Sequence, residues 1–444
     1  MSSHSVHAPP PVPGNAASSA SAALNARIFR RLMPLLVLSY VISFIDRTNI
    51  ALAKSHIEVD LGISAAAYGL GAGLFFLSYA LLEVPSNLIM HRVGARFWIT
   101  RIMVTWGLLS AGMAFITGET SFYVMRVLLG AAEAGLFPGV MLYLTYWFGR
   151  EERARAIGYF LLGVCIANIL SGPVGGALLQ MDGFLGWHGW QWMFVIEGLP
   201  AVALAWVVWK KLPDGPASAP WLTAAESREV LQRLQAEQDQ QAGAGQVGHS
   251  LRDCLRDRQI WLAILVYFCH QISIYTVIFF LPGIIGTYGQ LSPLQIGTLN
   301  SVPWIAAAIG AAWLPRFATH PQRCRRMLLA GLATMAAGLL VAALAGKASP
   351  ALGLLGFSLT ALMFFVVQSV VFLFPASRLA GAGLAGGIAL VNTCGLVGGF
   401  IGPTVMGMIE QATGSTRNGL FIMAGLLVVA ALASTRLRQG QETP

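Results

Sequence analysis
The stretch Leu35-Leu36-Val37-Leu38-Ser39-Tyr40-Val41-Ile42-Ser43-Phe44-Ile45-Asp46-Arg47-Thr48-Asn49-Ile50-Ala51 decides the fold. It is almost wholly apolar up to Ile45, carries an acid and a base side by side, and turns apolar again. Taken out to 28–53 it is long enough to cross a bilayer, which needs about 20 residues of helix. Similar runs follow at 66–90, 97–117, 121–148, 157–180 and 191–210. A second set lies at 259–286, 294–316, 326–346, 350–374, 380–408 and 418–435. Hydrocarbon cannot satisfy open backbone groups, so each run must be a helix or a barrel strand. Runs of about 20 residues are helices. The expectation is an all-α integral membrane protein of twelve transmembrane helices in two six-helix bundles.

Composition agrees. Of 444 residues 56% are hydrophobic and 11% are charged, against about 25% charged in soluble domains. Mean hydropathy is +0.67. The net charge of +9 could suggest nucleic acid, but its placement argues otherwise. About 23 of the 28 Lys and Arg fall on one side of the marked spans, the bias that identifies the cytoplasmic face. Lys54, Lys347 and Arg417 fall on the other side; Arg47 and Arg126 lie within spans. An even span number then puts both termini in the cytoplasm of a cell inner membrane protein. The five cysteines form no CxxC pair, so a disulfide framework is not expected.

Residues 1–24, rich in Ser, Ala, Pro and His, read as a disordered cytoplasmic tail. The remaining units are an N-terminal bundle over 25–211, a cytoplasmic linker over 212–258, a C-terminal bundle over 259–436 and a tail over 437–444. Within the linker, Thr223 precedes a helical run to Asp239 with Val230, Leu231 and Leu234 on one side.

Several motifs are specific. The first span ends Tyr40-Val-Ile-Ser-Phe-Ile-Asp46-Arg47-Thr-Asn49. The second ends Glu83-Val-Pro85-Ser-Asn87 and runs into His91-Arg92-Val-Gly94-Ala-Arg96. The fourth carries Arg126-Val-Leu-Leu-Gly130-Ala-Ala-Glu133-Ala-Gly135-Leu-Phe-Pro138-Gly139, and the sixth Gly189-Trp190-Gln191-Trp192 through Glu197-Gly198-Leu-Pro200. Together these resemble the anion:cation symporter family of the major facilitator superfamily, whose bacterial members carry tartrate, phthalate, hydroxyphenylacetate, nicotinate and sugar acids. The match is looser in the second half. Ala389 through Pro403 resembles the family's eleventh helix, while the tenth departs from its usual Gly-Pro-Phe-Trp and offers Ser369-Val-Val-Phe372 before Pro375.

Ionisable groups in hydrocarbon are costly and mark pathways or pairs. Glu83 and Glu197 read as lying toward span ends, in structural roles. Asp46, Arg47, Arg126 and Glu133 lie deeper. Arg126 and Glu133 are seven residues apart, two turns on one face and roughly 10 Å of rise, too far for an easy bond within the helix. Burial favours the neutral form of a carboxyl and a nearby Arg favours the charged form, so such a carboxyl can change state when its partner moves. The resemblance implies Asp46 and Glu133 as proton-coupling groups with Arg126 as their partner; a permanent buried ion pair is the bland alternative. The planar fork of Arg47 matches a carboxylate and is expected to bind an organic anion. Tyr79 resembles a substrate-contacting tyrosine of the family. Gln271 and Asn392 could complete the anion's hydrogen bonds, or only join helices. His270 reads as a helix-packing histidine, and the glycines at 395, 398, 399 and 402 as close-packing positions.

No HExxH, GxSxG or Walker sequence is found, which argues against an enzyme or an ATP-driven pump. No cofactor or metal is expected. The reading is a proton-coupled importer of a small organic carboxylate by alternating access, with lipid as its surround and a monomer as the working unit. A uniporter or antiporter of the same fold is the near alternative, and a non-transporting membrane sensor a more distant one.

Overall fold
In the computed structural model, residues 14–243, 251–318, 320–379 and 381–438 are described. The parts of the expected tails and linker beyond those limits lie outside them. The described chain is helical and contains no strand. The N-terminal bundle consists of α1 (Gly14–Leu61), α2 (Ala65–Val93), α3 (Ala95–Gly112), α4 (Glu119–Glu133), α5 (Leu136–Thr145), α6 (Arg150–Leu179) and α7 (Gly189–Lys211). The linker holds α8 (Ala224–Gly243) and α9 (Leu251–Arg256). The C-terminal bundle consists of α10 (Arg258–Gly286), α11 (Pro293–Trp313), α12 (Pro321–Ala345), α13 (Pro350–Arg378), α14 (Gly381–Thr413) and α15 (Arg417–Ser434). Helix α1 begins at Gly14, inside the stretch expected as a tail.

Among the described residues, 11 helices are long and apolar enough to cross a membrane, α4 and α5 counting as one. The twelfth expected span, α11, has the length but falls outside that set. Its Gln295, Thr298, Asn300 and Ser301 dilute the apolar run. Part of that polarity is spent on the other bundle, for the Ser301 hydroxyl donates to the Ile169 carbonyl of α6 at 2.6 Å.

The bundles meet along α2 with α14, α6 with α11, and α1 with α10. The approach is close because glycines face backbone. A Cβ on Gly172 would lie 2.1 Å from the Gly297 oxygen, and one on Gly69 2.3 Å from the Pro403 oxygen. These contacts sit at the end remote from the basic loops. Lys54 of α1 adds a charged crossing there, 3.0 Å from Glu410 of α14 and 3.0 Å from Glu58 on its own helix.

At the basic end the linker folds onto the N-terminal bundle. Thr223 and Glu226 cap α8 reciprocally, each side chain taking the other's backbone N–H, an arrangement that satisfies two orphan donors. That capping bond and Arg27 hold the Glu226 carboxyl below the usual range. Glu226 pairs with Arg27, Arg233 donates to Ser21 and Asn25, and Val230 is buried. Leu231, expected on the same side, is exposed.

Candidate functional site
Helix α1 carries two polar stripes, as a 3.6-residue repeat allows. Ser43 and Arg47, four apart, face α4. Both reach Glu133: Arg47 Nη2 lies 2.8 Å from Glu133 Oε1, and the Ser43 hydroxyl donates to the same oxygen. The pair is sealed, with side-chain exposures of 8% and 2%. Removing either member would strand a buried charge, a loss of about 3–5 kcal/mol in comparable pairs.

Glu133 is the last residue of α4, and the transmembrane run breaks directly after it. Ala134 leaves helical geometry and Gly135 takes φ +93°, before α5 restarts at Leu136. The break is held by Ser86 of α2, whose hydroxyl donates to the Ala134 carbonyl at 2.8 Å and accepts from Trp98 Nε1 at 2.9 Å. The sequence reading took 121–148 as one continuous helix. Gly135 three residues before Pro138 was the available signal, since glycine accepts the left-handed region and proline fits a first helical turn.

Around the guanidinium stand rings. Arg47 lies 4.7 Å from the centroid of Phe44 and 5.2 Å from those of Phe75 and Tyr79. Tyr275 of α10 also borders Arg47 and packs at a tilt on Phe76, with ring centroids 4.3 Å apart. Sequence reasoning did not single out Tyr275, because nothing local marks which aromatic of an apolar helix faces the opposite bundle.

The other expected residues are distributed as follows. Arg126 reaches neither carboxyl: its Nε and Nη2 donate to the Gly71 and Ala72 carbonyls of α2 at 3.2 and 3.3 Å, and Phe75 covers it at 4.9 Å. Asp46 points away from Arg47, on the second stripe of α1. It accepts from Trp106 Nε1 at 2.6 Å and from the Ser110 hydroxyl at 2.9 Å, both on α3 and four residues apart. Gln271 on α10 is buried, 3.1 Å from His270 Nδ1, and lies against Gly395 of α14. Asn392 is half-buried on α14. His270 is fully buried, with Nε2 3.2 Å from the Phe364 carbonyl and its ring stacked on Phe364. Glu197 corrects the reading of a span-end residue. It is the ninth residue of the 23-residue α7 and is buried against α1.

Residues 36–403 match the family described as Major Facilitator Superfamily. The chain belongs to the major facilitator superfamily. Two putative tartrate transporters of Agrobacterium vitis are 40% and 41% identical to it, covering 92% and 93% of this chain and 91% and 94% of theirs. A quinolone resistance transporter of Acinetobacter baumannii is 40% identical over 93% of this chain and 95% of its own. An inward-open structure of the xylose transporter XylE from E. coli superposes with a TM-score of 0.73 at 14% identity, over 93% of this chain and 97% of that one. This superfamily member is therefore a multi-pass membrane transporter and not an enzyme, and the resemblance to anion:cation symporter-type permeases stands.

Proposed function
We propose that the protein carries a small organic carboxylate inward together with protons, by rocking its two bundles around a midplane site. The observation that supports this most strongly is the buried Arg47–Glu133 pair, set at a helix break and ringed by Phe44, Phe75, Tyr79 and Tyr275. Glu133 occupies the guanidinium that an anionic substrate needs. A proton on Glu133 cancels that competition, so substrate and proton enter the site together. Arg47 then binds the carboxylate, Tyr79 contacts it from α2, and Gln271 and Asn392 approach from the second bundle. Asp46 is the second proton-coupling carboxyl. Arg126, anchored on α2 carbonyls here, serves as the cation to which a carboxyl turns in another state.

The relatives named for tartrate transport support a compact carboxylate as cargo. The relative named for quinolone resistance favours a second reading, export of a larger aromatic acid in exchange for protons. The positive-inside bias supports a cytoplasmic basic face and cytoplasmic termini in the inner membrane. On that orientation the bundles are closed toward the outside. The division into bundles over 25–211 and 259–436 joined by a linker over 212–258 belongs to the same reading, as does a monomeric working unit.

The test is uptake of radiolabelled carboxylates into proteoliposomes with and without an inward proton gradient. The reading expects one acid, tartrate-like or aromatic, to accumulate only with the gradient. Equal rates in both conditions would replace symport with facilitated diffusion or exchange.

A further inference from the structure
Behind Asp46, on the side away from Arg47, lies a buried polar cluster that the Arg47–Glu133 pair does not use. Asn49, three residues on from Asp46, faces α7 and lies beside the Glu197 carboxyl. Asn49 is 1% exposed and Glu197 5%. Neither oxygen of Glu197 and neither polar atom of the Asn49 amide has a partner in full hydrogen-bond geometry, although the amide lies close enough to act on the carboxyl. The rest of the lining is apolar: a Cβ on Gly175 of α6 would touch Leu52, Met193 Sδ and Glu197 Oε1 at 2.7, 3.2 and 3.4 Å. On the α3 side, Gly198 packs against Gly107 and Ser110. The charged groups that reach this pair are each other and, for Asp46, Glu133. Arg47, the nearest base along the chain, is committed to Glu133.

The hydrogen-bond inventory says which state satisfies the cluster. An ionised carboxylate only accepts, while a protonated one also donates. Four buried atoms are unpaired: one amide nitrogen, one amide oxygen and two carboxyl oxygens. An acid and an amide satisfy all four with two parallel bonds, acid O–H to amide oxygen and amide N–H to acid carbonyl. An ionised Glu197 would leave the Asn49 oxygen facing a second acceptor, at the cost of a buried unpaired group. Asp46 is the complementary case. Its two oxygens each already accept from a donor on α3, so its partners lie there and not on Asn49.

We propose that Glu197 is a proton-binding site of the N-terminal bundle, holding its proton toward the Asn49 carboxamide beside Asp46. Glu197 acts through Asp46 and is a positioning residue. A neutral neighbour leaves Asp46 free to gain and lose its own proton without a second negative charge beside it. The role in transport rests on the proton coupling proposed above; the protonation itself does not.

The test uses full-length protein in liposomes at neutral pH, without substrate. Infrared difference spectra between wild type and Glu197→Gln are expected to lose a protonated-carboxyl C=O stretch. In Asn49→Leu that stretch is expected to remain and move to the higher frequency of an unpaired acid. Loss of carboxylate bands in Glu197→Gln, or an unmoved stretch in Asn49→Leu, overturns the proposal. Where Glu197→Gln does not reconstitute, Asn49→Leu alone decides. In transport, Glu197→Gln should keep the pH midpoint of gradient-driven uptake to within about 0.3 unit, because it carries the same zero charge, while Glu197→Ala loses activity. An acid shift of roughly one unit in Glu197→Gln, a tenfold change in proton activity, means that an ionised group was removed and also overturns it. A wild type that carries the protonated-carboxyl band yet shows no gradient stimulation would end the symport reading and leave the proton site standing.

Discussion

On the proposed mechanism Glu133 and the substrate compete for Arg47, and substitutions separate the two roles. Lys in place of Arg47 keeps the charge but replaces a planar fork with a point donor. The expected outcome is a folded protein whose substrate affinity falls about 10- to 100-fold, the loss of one charged hydrogen bond of about 1.5–3 kcal/mol. Equilibrium binding of the transported acid measures it, and unchanged affinity would remove Arg47 from the site. Glu133→Gln imitates the protonated carboxyl without being able to release a proton. Counterflow exchange should persist while gradient-driven accumulation disappears. Full gradient-driven uptake by this variant would take the coupling role from Glu133. The residue types of this site were legible in the sequence, since a charge inside an apolar run is conspicuous. The partners were not. The family resemblance made Arg126 the partner of Asp46 and Glu133, yet the chain brings Arg47 from α1 to Glu133 and turns Arg126 onto the carbonyls of Gly71 and Ala72. Pairing across helices depends on rotation about each helix axis, which hydropathy does not encode. Asn49 and Glu197 were missed as a pair for the same reason.

At the scale of the element, the break between α4 and α5 is what presents Glu133 at a helix end. Gly135 at φ +93° has no room for a side chain, because an added Cβ would lie 2.0 Å from the Ser86 hydroxyl. Gly135→Ala should therefore lose about 1–2 kcal/mol from the left-handed backbone alone, with the Ser86 clash added. Adding Ser86→Ala should recover only part of that loss, since the dihedral strain and the 2.6 Å approach to the Cβ of residue 86 both remain. Thermal unfolding of wild type, Gly135→Ala and the double variant in one detergent reads the comparison. Complete recovery in the double variant would mean that the clash, not the backbone, carries the effect. Helix existence was readable from length and apolarity, and eleven of the twelve expected spans meet both criteria among the described residues. The helix interruption had only Gly135 and Pro138 to signal it, because the apolar run around them hides a two-residue break. The polar face of α11 lowered its apolar signal for a reason visible only in three dimensions, its contact with α6.

On the proposed rocking mechanism the whole molecule stands in one of the states the carrier visits, and contacts between the bundles set how readily it leaves. Backbone-to-backbone contact at Gly172–Gly297 and Gly69–Pro403 supplies shape. The Lys54–Glu410 crossing supplies a charge pair, with side-chain exposures of 6% and 22%. Lys54 also lies over the rings of Tyr68 and Phe280, 5.5 and 5.3 Å from their centroids, so the ammonium stays partly compensated when one carboxylate is lost. Glu410→Gln removes the only charge in this group contributed by the second bundle and leaves the Lys54–Glu58 pair within the first. The closed arrangement should then lose about 1 kcal/mol, a shift of roughly fivefold in the population open at the end remote from the basic loops. A cysteine at Thr404, buried beside Gly73 in this contact, reports that opening in a background without the native cysteines. A membrane-impermeant maleimide should label Thr404→Cys about five times faster when Glu410→Gln is also present. Lys54→Gln should do the same and should not add to it, because both substitutions break one crossing. Additive effects would mean that Lys54 and Glu410 stabilise the closed state through separate contacts, and unchanged labelling would assign the closure to glycine packing alone.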